Sequence, residues 1–92
     1  MSTRTSEFLA KVDEALAATA DDGLQAACIN GLLDGWERKR ARLAEWAARD
    51  DDTPNPLGEG TTVFEVDATI SGLRNRLDAI KARVLAKLAQ VA

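Results

Sequence analysis

The stretch from Asp67 to the C-terminus, DATISGLRNRLDAIKARVLAKLAQVA, constrains this chain more than any other. Ile70, Leu73, Leu77, Ile80 and Val84 recur at alternating spacings of three and four. That spacing lines them up as one seam of an α-helix, the stripe two helices share when they pack. Past Val84 the register meets Lys87, and the stripe drifts to Leu88 and Val91 on the neighbouring edge. Such drift suits a short bundle better than a long coiled coil. A helix with so long a seam needs covering, and the remaining residues are read as its cover.

Two further helical segments supply it. Thr5 or Ser6 can cap a first helix, with Phe8, Val12, Ala15, Leu16 and Thr19 along one face and Leu9 at its edge. Gly23 is placed to close this helix in the left-handed conformation. Asp22, with Gln25 three residues on, is placed to cap the next. In the second segment Ile29, Leu32, Trp36, Leu43 and Trp46 keep one spacing across Asn30-Gly31 and Asp34-Gly35, with Lys39 in the one polar position of the seam. A continuous second helix is expected, with a break at Asp34-Gly35 as the alternative. Gly31 and Gly35, one turn apart, are where a neighbouring backbone is expected to come close.

The segment DDDTPNPLGEG over residues 50–60 holds two prolines and two glycines and can continue no helix. After it, Thr61-Thr62-Val63-Phe64-Glu65-Val66 is β-branched and aromatic, which predicts a short extended segment that lies across the bundle or pairs between chains. The fold expected is thus all-α: one domain over residues 1–92, a three-helix bundle built from a helical hairpin and a long C-terminal amphipathic helix. The helices span about 5–20, 24–49 and 68–90, with an acidic linker at 50–61 and an extended piece at 62–66.

Composition removes most chemistry. The chain has no His and no Tyr, and a single Cys. The commonest general base is therefore absent, and neither a Cys-His pair nor a thiolate zinc site can form within one chain. Cys28 lies on an apolar helical stripe and is expected to be buried. Asp50, Asp51, Asp52 and Glu59 are oxygen donors, but Pro54 stands at the fifth position from Asp50 and the EF-hand spacing fails. Arg38, Lys39, Arg40 and Arg42 spread around a helix in a chain of net charge −3, so nucleic acid is not an expected partner. No apolar run approaches the roughly 18 residues of a membrane span. No catalytic residue, cofactor or metal ligand is assigned, and no enzymatic activity is expected.

The charge is laid out in blocks. Residues 1–35 carry two basic and six acidic side chains, 36–49 five and two, 50–67 none and six, and 68–92 five and one. Alternating blocks suit antiparallel neighbours or ordered self-association, with an association that weakens as salt rises. The expected function is a small helical interaction or assembly protein, oligomeric or docked on a larger protein, cytoplasmic or in a virion. Its contact residues are drawn from Ile70, Leu73, Leu77, Ile80, Val84, Trp36, Trp46, Val63, Phe64, Asp50, Asp51 and Asp52. The alternative is an acidic inhibitor that mimics nucleic acid in the basic groove of a host or defence enzyme. The run TTVFEVDATISGLRNRL, a Thr/Val-rich segment entering an Arg-rich amphipathic helix, resembles the second half of small head-to-tail joining proteins of tailed bacteriophages. That resemblance implies a phage or prophage virion assembly component.

Overall fold

The computed structural model describes residues 3–49 and 51–91. Three helices follow one another: α1 (Thr3–Ala17), α2 (Asp22–Ala47) and α3 (Val63–Val91). α1 runs parallel to α3, since Arg4 pairs with Glu65 and Asp13 with Arg76. α2 runs antiparallel to α3, since Arg40 pairs with Asp67, Glu37 with Arg74 and Asp22 with Arg83. The molecule is elongated, 59 × 22 × 18 Å.

The seam of α3 is the centre of the core. Val66, Ile70, Leu73, Leu77 and Ile80 are buried against Leu9 and Val12 of α1 and Ile29, Leu33 and Leu43 of α2. Each such side chain contributes about 1.5–3 kcal/mol of burial. On α1 the buried line runs Thr5, Leu9, Val12, so Leu9, expected at the edge, stands at the centre. The reason is Gly72: its missing Cβ lets Leu9 settle on α3, where an added Cβ would lie 2.5 Å from the Leu9 Cδ1. The close approach expected at Gly31 and Gly35 is found here instead, because those two glycines meet nothing within 4 Å. α2 does run unbroken through both.

The first turn closes by a different device from the one expected. Gly23 lies inside α2, and α1 stops at Ala17. The side-chain amide of Gln25 donates to the carbonyls of Leu16 (2.8 Å) and Thr19 (2.6 Å), satisfying acceptors that a helix end leaves open. The N-cap of α2 is Asp21 rather than Asp22; its carboxylate accepts from the Leu24 N–H at 3.0 Å.

The extended segment at 62–66 is not found. Thr62 Oγ1 accepts from the Glu65 N–H at 3.1 Å and starts α3 at Val63. A lone strand would leave its backbone groups unpaired, whereas the helix pairs them and turns Val63 and Val66 onto the core. The capping hydroxyl outweighs the β-propensity of Val63, Phe64 and Val66.

The acidic linker is folded onto the bundle. The Trp46 indole N–H donates to the Thr53 carbonyl at 2.6 Å, and Asn55 both accepts from the Leu57 N–H and donates to the Thr61 carbonyl, each at 2.9 Å. Gly58 (φ 102°) and Gly60 (φ 82°) supply left-handed turns that no side chain adopts cheaply. Leu57, between them and Asn55, packs on the core.

Candidate interaction surface

The residues expected to make contacts divide into groups. Ile70, Leu73, Leu77 and Ile80 are core and hold the bundle together. Val84 is where burial stops, with 37% of its surface exposed. Trp36 is half-buried, its ring 5.3 Å from that of Phe8 and the Lys39 ammonium 4.4 Å from its centroid. Trp46 is half-buried and engaged with the linker. Val63 is half-buried on the core, while Phe64 points outward.

Asp51 and Asp52 are exposed, and Asp50 lies outside the described residues. Hydrogen bonds from Thr53, first its hydroxyl and then its N–H, hold the Asp51 carboxyl below the usual range. Among the described residues no three acidic or thiol groups converge as metal ligands. Cys28, expected to be buried, is exposed. The face of α2 that meets α3 is centred on Ile29 and Leu33, and residue 28 falls about 100° around the helix from Ile29.

The basic run of α2 is dispersed. Arg38 pairs with Asp34, Arg40 with Asp67, and Lys39 caps the Trp36 ring. Of the four cations of this run, Arg38 and Arg40 are thus committed to carboxylates within the chain.

What the sequence pattern did not single out is the end of α3. Asp13 of α1 sits level with Arg76, so α1 finishes, at Ala17, near the level of Ile80. The first residue of α2, Asp22, is reached by Arg83 (3.1 Å) and Lys87 (2.6 Å). α3 therefore outruns both neighbours, and every residue from 81 to 91 is exposed. This arm is about 16 Å long at 1.5 Å per residue. Val84, Leu88 and Val91 continue the seam along it with Leu85 beside them, Leu88 62% and Val91 85% exposed. The signal was present in the drift past Lys87, but a pattern within one helix does not say where its neighbours end.

Charge frames the arm. Lys81, Arg83 and Lys87 are its only ionisable side chains. Hydrogen bonds from Lys87, then Arg83, hold the Asp22 carboxyl below its ordinary range, so the arm is pinned at its base by an ionised carboxylate. Among the described residues no helix is long and apolar enough to cross a membrane. Comparison of the chain with known protein families, with curated proteins and with solved structures found no match in any of the three.

Proposed function

We propose that this chain is a non-enzymatic assembly module that pairs through the α3 arm with a second copy of itself. The observation that carries the reading is that the seam which is core as far as Ile80 runs on through Val84, Leu88 and Val91 without a neighbour. Exposed aliphatic side chains in register with a core stripe are what a helix presents to another helix. A second copy fits because its arm presents the same uncovered seam, so that the contact is self-complementary. Two arms crossing antiparallel near Leu88 would bury Leu88 and Val91 of one copy against Leu88 and Leu85 of the other.

A virion assembly role, or a cytoplasmic one, belongs to this proposal as its setting. The phage resemblance offers partial support, because its Arg-rich helical half coincides with α3 whereas its extended half is the first turn of the same helix. The inhibitor alternative has less behind it. Asp13, Asp22, Asp34, Glu37, Glu45, Glu65 and Asp67 are already in ion pairs within the chain, which leaves that reading to exposed carboxylates such as Asp51 and Asp52 of the loop.

The test is molar mass by light scattering over a wide concentration range, for the wild type and for the double substitution Leu88→Ser/Val91→Ser. The wild type is expected to rise toward twice the chain mass or beyond, and the variant to stay monomeric with an unchanged melting temperature. A wild type that is monomeric throughout overturns the proposal.

A further inference from the structure

At the end of the bundle opposite the arm, the start of α1, the middle of α2, the linker and the first turns of α3 enclose a pocket of about 160 Å³. Phe8, Trp36, Leu57 and Val66 line it together with Thr5, Thr61 and Thr69, and the buried Thr69 hydroxyl is bonded to that of Thr5. An apolar cavity of about 150 Å³ admits benzene, so this one has room for a single ring with a short substituent. The rings of Phe8 and Trp36, 5.3 Å apart and tilted at 59°, both line it, and aromatic side chains of this kind favour contact with a further ring.

The charge at the pocket is unequal. Arg4, Lys39 and Glu65 line it, and Arg4 donates to Glu65 at 3.0 Å. Lys39 is left over: its ammonium lies on the Trp36 face, and among the described residues it has no carboxylate partner. Lys39 is also the polar residue that interrupted the apolar spacing of α2, and its position is accounted for by the pocket it borders. An apolar recess bordered by a cation that stands on an aromatic face without a carboxylate partner among the described residues selects a small amphipathic anion.

We infer that this pocket binds a small monocyclic carboxylate, with the ring against Phe8, Trp36 and Leu57 and the carboxylate paired to Lys39. Position 69 precedes the arm's first residue by twelve along α3, about 18 Å at the helical rise, so occupancy here leaves the arm untouched and the inference is independent of self-association.

Phenylacetate and its neutral isostere 2-phenylethanol are the probes, titrated into the isotope-labelled full chain and followed by amide and indole N–H resonances. Saturable shifts are expected at Phe8, Val66 and the Trp36 indole, with the Trp46 indole unmoved. Phenylacetate should bind about fivefold more tightly than the alcohol, the scale of an ion pair at a solvated rim. Lys39→Met, a change at an exposed side chain, should remove that preference and leave the alcohol's affinity unchanged. The inference is overturned by the absence of saturable shifts at those residues, by equal affinity for the two probes, or by a preference that survives in the Lys39→Met variant.

Discussion

Glycine-to-alanine substitution at three helical positions separates space from propensity. In a helix interior Ala is favoured over Gly by about 0.8–1 kcal/mol. At Gly31 and Gly35 an added Cβ meets nothing within 4 Å, so Gly31→Ala and Gly35→Ala should each stabilise by about 0.5–1 kcal/mol. At Gly72 the same methyl would lie 2.5, 3.1 and 3.4 Å from Leu9 Cδ1, Cδ2 and Cγ. Leu9 is buried and has no solvent to retreat into. Overpacking of this kind costs about 1–3 kcal/mol, which outweighs the propensity gain and leaves Gly72→Ala destabilised by up to about 2 kcal/mol. For a chain of this length 1 kcal/mol moves the melting temperature by about 4–8 °C. The assay is urea denaturation followed by far-ultraviolet circular dichroism, with Leu9→Ala added to close a double-mutant cycle. The new methyl partly fills the space Leu9 vacates, so the double variant should be more stable than the sum of the singles by about 1 kcal/mol. Gly72→Ala as stabilising as Gly31→Ala, or strict additivity with Leu9→Ala, would refute the α1–α3 contact.

Leu77→Ala and Ile80→Ala should each cost about 2–5 kcal/mol in the same assay, since both are buried, whereas Val84→Ala, past the last covering turn, should cost well under 1 kcal/mol. Asn55→Ala should destabilise by about 1 kcal/mol, because the Thr61 carbonyl and the Leu57 N–H lose their partner; an unchanged midpoint would mean that the linker's bonds are matched by water. Asp22 is held below its unfolded pKa, so the stability it lends is full above about pH 4 and is lost as pH falls through its lower folded value. The Cα chemical shifts of residues 83–88 should accordingly move toward coil values in acid, and Asp22→Asn should show the same movement at neutral pH; a variant with wild-type shifts at neutral pH would show that Arg83 and Lys87 do not anchor the arm.

Much of the bundle is legible in the sequence because side chains three and four apart share a helix face whatever lies beyond it. Ile70 to Ile80 form a core seam for that reason, and the apolar spacing of α2 carries through two glycines that local propensity would mark as turns. Where the outcome turns on what neighbours do, the pattern is silent. Leu24, Cys28 and Leu33 look alike as apolar helical positions, yet only Leu33 is buried, because the meeting face of α2 is centred on Ile29. The start of α3 was hidden by β-branched residues whose preference one threonine hydroxyl overrides. Gln25 marked the α1–α2 turn, but its amide serves the helix behind it rather than the one it begins. Of the contact surface, Val84 was legible as the end of a seam. Leu88 and Val91 become surface only because α1 and α2 end first, and the pocket joins Phe8, Trp36, Leu57 and Val66, which no local spacing connects.

Isotope-filtered nuclear Overhauser spectroscopy on an equimolar mixture of labelled and unlabelled chains, at high protein concentration, tests most directly whether the α3 arm is a self-association surface. Pairing of arms predicts cross-peaks between chains from the methyl groups of Leu88 and Val91 to those of Val84, Leu85 or Leu88 of the other copy, with none from the buried methyls of Leu73. A spectrum without cross-peaks between chains in the arm, or with such cross-peaks confined to other parts of the molecule, would contradict it.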